Sequence, residues 1–451
     1  MKQHWYKDAL FYHVYPIGFC GAPERNNFSL PPEPRLLKLA EWLPHIRALG
    51  ANALYLGPVF ESTAHGYDTR DFFTVDRRLG TNETLKHMVT LFHQEKIKVI
   101  LDGVFNHVGR DFWAFRDVLE KGSASRFCNW FKDLHFMGTT PFGDPFSYTP
   151  WNGCYDLVTL NLEHPEVRQH LLHAVRVWIT DFGIDGLRLD AADCVSLDFQ
   201  RELAAFCRTI KRDFFLLGEV IHGDYNRWVN KDCLDAVTNY ECYKGIYSSH
   251  NDKNYFEIAY SLNRQFGSGG IYEGLQLYSF VDNHDVNRIA SQLHDRRDLS
   301  LVHCLLFTIP GIPSVYYGSE WGIEGRKLNG NDTALRPALS FSSRAGNEEI
   351  ENELKRLAMI RRNSSVLKHG NYRQLYVAMQ QIAFTREYNK ELVLVILNAS
   401  DAAVSLSLQA DTLGTDGLHD SAGEFVPVHE GRISIDSLHA HSYRILYGRR
   451  K

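Results

Sequence analysis

Short apolar, β-branched runs recur along this chain, and most are followed by a longer stretch of helical period. The predicted strands are 11–19, 51–60, 98–107, 183–192, 214–221, 234–240, 275–285 and 313–321. Their cores, such as Ala53-Leu54-Tyr55-Leu56 and the Val99-Ile100-Leu101 that follows Lys98, are continuously apolar, as in strands covered on both faces. Between them lie amphipathic segments at 34–49, 83–95, 165–181, 197–212 and 298–308. Strands alternating with helices predict an α/β fold with a parallel sheet, and eight strands is the number that closes a (β/α)8 TIM barrel.

Two regions break the alternation. After the third strand come about 55 residues, 108–162, rich in Phe, Trp, Gly and Pro. A connection of that length inside a compact domain predicts a functional loop or a small inserted domain. After a helical segment at 351–362, short alternating strands follow at 374–379, 382–386, 391–398, 403–408, 432–435 and 443–447, separated by Asn, Asp and Gly turns. They predict a separate C-terminal antiparallel β-sandwich. The expected division is a barrel of 1–107 and 163–366, an inserted domain of 108–162 and a C-terminal domain of 367–451.

Composition narrows the function classes. The 451 residues carry a net charge of −5, which gives no electrostatic footprint for nucleic acid or an anionic membrane. The longest apolar stretch, 304–317, is cut by Pro310, Gly311 and Pro313, so no bilayer span is expected. The first residues have no apolar signal core, and the 8 cysteines show no CxxC spacing. Reduced thiols in a cytoplasmic protein are the expectation, without zinc or a redox pair. Aromatics reach 13%, which suits either a large core or the gripping of flat, partly apolar ligands such as sugars.

The polar residues gather at strand ends, where a barrel places its catalytic groups. Strand three ends Asp102-Gly103-Val104-Phe105-Asn106-His107, and strand four ends Arg188-Leu189-Asp190. Strand five ends Gly218-Glu219-Val220, and strand seven ends Asp282-Asn283-His284-Asp285. The two-residue period of a strand turns Leu187 and Leu189 toward the helices and Arg188 and Asp190 into the barrel mouth. An inward Arg188 is expected to depress the pKa of Asp190 and keep it ionised, as a nucleophile requires. Glu219, flanked by the apolar run 214–217, is expected to be desolvated and raised in pKa, as a proton donor requires. Asp285 adds a third carboxylate. Carboxylates clustered on several strands repel one another, which favours a functional site over a structural one.

These four strand ends resemble the four signature regions of the α-amylase superfamily of retaining glycoside hydrolases. The resemblance runs from about residue 11 to 367 and includes His65-Gly66-Tyr67-Asp68-Thr69, the segment 310–318 and Asp332 with Arg336-Pro337. Gly218-Glu219-Val220 and Asp235-Ala236-Val237-Thr238-Asn239-Tyr240 look most like the cyclomaltodextrinase, neopullulanase and maltogenic amylase branch. The resemblance implies Asp190 as nucleophile, Glu219 as general acid/base and Asp285 as the carboxylate that holds sugar hydroxyls. It implies further that Arg188 orients Asp190, that His107 and His284 hydrogen-bond the sugar, that Tyr67 is an aromatic platform and that Asp332 with Arg336 grips the far hydroxyls. Retaining chemistry places nucleophile and acid roughly 5 Å apart.

In the family Asp102's counterpart is mainly structural, and Asn106's is a calcium ligand in some members. Calcium takes six to eight oxygens, and no Asp/Asn-rich companion loop accompanies Asn106, so no cofactor is expected to be required. The sequence departs from the branch at Leu157-Val158-Thr159-Leu160-Asn161, Ile221, Ala338 and Ser340. Its first strand begins by residue 11, so the N-terminal β-domain of that branch is expected to be missing, and oligomeric state is left open. Ala191-Ala192 after Asp190 leans toward α-1,4 rather than α-1,6 bonds. The implied substrates are malto-oligosaccharides, cyclodextrins or related α-glucans. Exo-α-glucosidase or transglycosylase action, or a non-catalytic sugar-binding role, are the alternatives. The aromatics of the insertion, Phe127, Trp130, Phe131, Phe142, Phe146, Tyr148, Trp151 and Tyr155, either form that domain's core or stack on sugars.

Overall fold

The computed structural model describes residues 4–344 and 348–451. Eight parallel strands form the central sheet: β1 (Phe11–Val14), β2 (Ala53–Leu56), β3 (Lys98–Gly103), β4 (Gly186–Leu189), β5 (Phe215–Gly218), β6 (Ala236–Val237), β7 (Tyr278–Ser279) and β8 (Ile312–Tyr316). Their order is β6-β5-β4-β3-β2-β1-β8-β7. A parallel bridge between Thr238 and Tyr278 joins the two edges, so the sheet is the expected TIM barrel. Every expected strand coincides with one of these, though each is shorter than its apolar run. The polar strand ends belong to the loops above the barrel.

Helices cover the outside: α1 (Lys38–Ala48), α2 (Asn82–Gln94), α3 (Pro165–Thr180), α4 (Leu197–Ile210), α5 (Tyr240–Asn251), α6 (Tyr255–Phe266), α7 (Leu299–Thr308) and α8 (Glu348–Asn363). Local chemistry sets their starts. Thr81 and Thr84 cap each other's backbone ahead of α2, Pro165 occupies the first turn of α3, and the Ser196 side chain accepts from Phe199 N at the head of α4. The pair α5 and α6 was not expected from the pattern. Each opens on an asparagine cap, Asn239 and Asn254, and their inner faces carry Tyr243, Ser248 and Ser261 among the apolar residues, which blurs the helical period.

The barrel interior explains the chemistry above it. Inward positions low in the barrel are Phe11, Ala53, Ile100, Phe215, Ala236, Tyr278 and Ile312, a single buried cluster. The rings of Phe11 and Phe215 lie 5.9 Å apart, and those of Tyr6 and Phe215 lie 4.7 Å apart, so aromatics seal the floor. In register, Ile100 pairs Gly186 and Asp102 pairs Arg188 one step higher. The two-residue period therefore stacks a polar layer directly on an apolar one.

Between β3 and α3 the chain builds a three-stranded antiparallel sheet from His107–Gly109, Cys154–Thr159 and Pro150–Trp151, with the helix Trp113–Lys121. Phe127, Trp130, Phe131, Phe146 and Tyr148 are buried there and form its core, whereas Phe142 is exposed and Trp151 and Tyr155 are partly so.

After α8 come eight antiparallel strands: β9 (Asn371–Val377), β10 (Gln381–Tyr388), β11 (Glu391–Asn398), β12 (Val404–Gln409), β13 (Gly417–His419), β14 (Phe425–His429), β15 (Arg432–Leu438) and β16 (Ser442–Arg449). Their order is β9-β10-β11-β16-β13-β14-β15-β12. The short β13 and β14 were missed, being broken by Gly417 and Pro427. β11 is buried on both faces. Leu392, Leu394 and Ile396 fill the sandwich core, while Val393, Val395 and Leu397 belong to the core shared with the barrel.

Candidate active site

Arg188 is the hub of the polar layer. Its Nη1 lies 2.9 Å from Asp102 Oδ1 and 2.9 Å from Asp190 Oδ1, and its Nη2 lies 2.7 Å from Glu219 Oε1. All four side chains are buried. Asp102 is held on its other oxygen by the hydroxyls of Tyr55 at 3.0 Å and Tyr67 at 3.1 Å. With both oxygens held by protein donors, Asp102 anchors Arg188.

The turn after β4 joins Asp190 to Glu219. Ala191 has a φ of 43°, left-handed backbone that a residue with a Cβ rarely adopts. That conformation aims the Ala191 N–H at Glu219 Oε2, 2.9 Å away. Local strain is thus used to hold the second carboxylate.

The opposite wall is built from the loops after β7 and β8. His284 Nε2 lies 3.0 Å from Asp285 Oδ2 and also bonds the Tyr67 hydroxyl. Tyr67 and His284 stack with ring centres 5.6 Å apart. Arg336 Nη2 is 2.9 Å from both Asp285 Oδ1 and Asp332 Oδ2, its Nε donates to His284 O, and its guanidinium sits 4.6 Å above the Tyr15 ring. Arg336 therefore restrains Asp285 as well as pairing with Asp332. His107 completes the ring, with Nε2 3.9 Å from Asp190 Oδ2. Asn106 Nδ2 approaches His107 Nδ1 at 3.3 Å, which leaves Nε2 to carry the proton toward Asp190. His107 Nε2 and His284 Nδ1 are buried without a hydrogen-bond partner, a state that a polar ligand in the hollow would relieve.

The carboxylates are pushed apart electrostatically. Burial raises Glu219, and nearby Asp285 adds to it, against the pull of Arg188. Burial also raises Asp190 well above the usual carboxylate range. Arg188 opposes this, and Glu219, Asp102 and Asp285 reinforce it. The expected depression of Asp190 by Arg188 is corrected here, because one guanidinium is shared among three carboxylates over an apolar floor. Burial acts the same way on Asp285, but His284, Arg336 and Arg188 outweigh it and hold that group well below the usual range. Burial also lowers His107 to about 3, so its ring is neutral.

Contacts join every site residue expected from the sequence into one network: Asp190, Glu219, Asp285, Tyr67, His107, Arg188, His284, Asp332 and Arg336. The structure adds residues that the sequence reading passed over. His13 stacks on Tyr55 at 4.1 Å and meets His284 edge-on at 5.2 Å. Its inward phase on β1, like that of Tyr55 on β2, was the available signal. Tyr240 reaches Glu219 from the other side with Asn283 bonded behind it, while Trp151, one of the insertion aromatics expected either in that domain's core or against sugar, stands 5.1 Å from His107. Asn106 is buried against His107, and no cluster of three His, Cys, Asp or Glu ligand atoms surrounds it among the described residues. The donor set does not fit a carboxylate-rich calcium site.

Comparison with known proteins gives the family. Residues 36–365 match the family described as Alpha amylase, catalytic domain. The chain belongs to the α-amylase family. It is 32% identical over 425 residues to a cyclomaltodextrinase of Bacillus sp, covering 89% of this chain and 74% of that protein. A cyclomaltodextrinase of Geobacillus thermopakistaniensis is 31% identical over 432 residues, covering 91% and 72%. Among solved structures, a cyclic alpha-maltosyl-(1→6)-maltose hydrolase from Arthrobacter globiformis superposes with a TM-score of 0.84 at 28% identity, covering 99% of this chain and 100% of that one. As a member of the α-amylase family, the chain is a glycoside hydrolase. Among its described residues, no helix is long and apolar enough to cross a membrane.

Proposed function

We propose that this enzyme hydrolyses α-glucosidic bonds, mainly α-1,4, in malto-oligosaccharides and cyclodextrins, with retention of anomeric configuration. The observation that carries the reading is the single guanidinium of Arg188 bonded at once to Asp190 and Glu219. Two carboxyl groups tied to one planar cation face the same small space, as direct attack by a carboxylate requires. The names of the cyclomaltodextrinase and cyclic maltosyl-maltose hydrolase relatives support an α-glucan substrate, cyclic or linear.

In the first step Asp190 and Glu219 share one proton, held on Glu219, and the ionised Asp190 attacks the anomeric carbon through Oδ2, the oxygen not held by Arg188. The bond from that carbon to the leaving sugar oxygen breaks, and Glu219 gives that oxygen its proton. In the second step the Glu219 carboxylate takes a proton from water, whose oxygen displaces Asp190 from the anomeric carbon. Asp285, ionised by His284 and Arg336, stabilises the positive charge that develops on the ring. The N–H of His107 and the free nitrogen of His284 bind hydroxyls of the same sugar, and Asp332 with Arg336 grips its far edge. Tyr67 forms the wall against which the ring packs. A reducing compartment is part of the same proposal: all 8 cysteines are free thiols.

Incubation with maltohexaose, β-cyclodextrin, pullulan, isomaltose and sucrose, with the first-released anomer followed by NMR, tests this. The expected result is α-anomer from maltohexaose and β-cyclodextrin. Release of the β-anomer would overturn the double displacement. Glu219→Gln is expected to lower turnover by about 10²–10⁴-fold while leaving oligosaccharide binding largely intact. A wild type that binds these sugars and cleaves none would favour a sugar-binding role instead.

A further inference from the structure

Glu219 has a neighbour that the proposed reaction does not use. Tyr240 opens α5, directly after the cap Asn239, and its ring packs edge-on against Phe280 with centres 4.9 Å apart. Its hydroxyl lies 3.4 Å from Glu219 Oε1 and 3.1 Å from Asn283 Nδ2. The orientation of the Asn283 amide is fixed by its other end, because Oδ1 accepts from Asp285 N at 2.8 Å and Val286 N at 3.2 Å. Nδ2 therefore donates to the tyrosine oxygen, and the only proton of Tyr240 is left to point at Glu219.

The two oxygens of Glu219 are then unequal. Oε1 receives Arg188 Nη2 at 2.7 Å and the Tyr240 hydroxyl, which fill its two lone-pair directions. Oε2 receives only the Ala191 N–H at 2.9 Å and keeps one direction open. We propose that Tyr240, aimed by Asn283, is a positioning residue that places the transferable proton of Glu219 on Oε2 and favours the ionised form needed in the second step. This rests on the reading of Glu219 as acid/base given above. The same Asn283 amide holds the backbone of Asp285, so one side chain bears on two carboxylates in the loops after different strands.

The charged and titratable groups facing Glu219 are Arg188 and Asp190 from β4 and its turn, Tyr55 from β2, His284 and Asp285 from the loop after β7, and Tyr240. Tyr240 itself is pushed well above the usual phenol range by burial and by Glu219, so it remains a donor throughout the working range. A donor to the carboxylate lowers its pKa, and its removal raises it.

The test is the pH profile of kcat/KM for wild type, Tyr240→Phe, Asn283→Ala and the double variant. Loss of the hydroxyl is expected to move the alkaline limb, set by Glu219, upward by about half a pH unit or more. Asn283→Ala should move it the same way, and the double variant no further than Tyr240→Phe alone. A Tyr240→Phe limb that superimposes on wild type, or single shifts that simply add, would overturn the proposal. The ionisation is also readable without turnover, as the infrared carboxyl band missing from Glu219→Gln. That band should titrate higher in Tyr240→Phe, and an unchanged midpoint counts against the role. If Glu219→Gln keeps full turnover, the acid/base assignment itself falls. If Glu219→Gln is inactive and Tyr240→Phe is unmoved, only the role of Tyr240 falls.

Discussion

At the scale of single residues the site depends on one cation serving three acids. Removing Arg188 leaves Asp102, Asp190 and Glu219 buried without a counter-charge, and breaking such a network costs about 3–5 kcal/mol. The pH dependence has a definite sign. Burial already raises Asp190 and Glu219, and without Arg188 these two are protonated still more readily than in the unfolded chain, where their pKa is about 4. Their folded pKa values are then raised, so stability is kept at low pH and lost as pH rises. Thermal unfolding of Arg188→Ala from pH 4.5 to 8 should therefore show a deficit against wild type that grows with pH. Arg188→Lys should not restore activity, because a point-charge ammonium cannot bond three carboxylates along one plane.

At the scale of elements, the strand-to-loop turns carry the precision. Ala191 sits at a φ of 43° between Asp190 and the acid that its N–H holds. Glycine normally destabilises a folded chain by roughly 0.5–1 kcal/mol relative to alanine. At this position it removes the left-handed penalty of about 1–2 kcal/mol and keeps the N–H. Ala191→Gly is accordingly expected to match or exceed wild-type melting temperature with turnover retained. A fall of several degrees would show that the turn is not strained. The aromatic floor beneath β1, β5 and β7 is the second device at this scale. It supplies the low dielectric that raises Asp190 and Glu219 and strengthens every charged contact above it.

At the scale of the whole molecule, the C-terminal sheet is bound to the barrel by apolar contact and by charged groups at the seam. Arg386 on β10 crosses to donate to the carbonyl of Thr308 and also donates to that of Gly370, beside Arg361, which ties α8 to the end of α7 and the turn after it through the carbonyls of Phe307, Ile309 and Gly311. His441, just before β16, links Asp298 at the head of α7 at 2.7 Å to Asp401 at 3.2 Å. Partial burial works against its protonation, but the bonds to Asp298 and Asp401 win and raise its pKa. A histidine raised on folding stabilises below its unfolded value, about 6.5, and that contribution is lost as pH rises through the higher folded value. Melting temperatures of wild type and His441→Gln should differ most at and below about pH 6 and converge as pH rises beyond the unfolded value. A gap independent of pH would show that the ring acts only by packing.

The order of apolar runs determined the eight barrel strands, because strands covered on both faces are written as continuous hydrophobic stretches. The aromatic-rich connection and the later alternation likewise marked the insertion and the antiparallel domain. Asp190, Glu219 and Asp285 were legible because each ends such a run. Polar residues at the phase that faces the barrel axis have few structural reasons to be there. Other features were not legible. The helices α5 and α6 hid behind tyrosines and serines on their inner faces, and β13 and β14 were too short and too interrupted to show a period. Only the tertiary structure decided that Arg188 is divided among three acids, which reversed the expected direction for Asp190. Only it decided that Asn283 meets Tyr240, and Tyr240 meets Glu219. Strand phase fixes which face a side chain takes, whereas the charge it experiences is the sum over neighbours brought from distant strands by closure of the barrel.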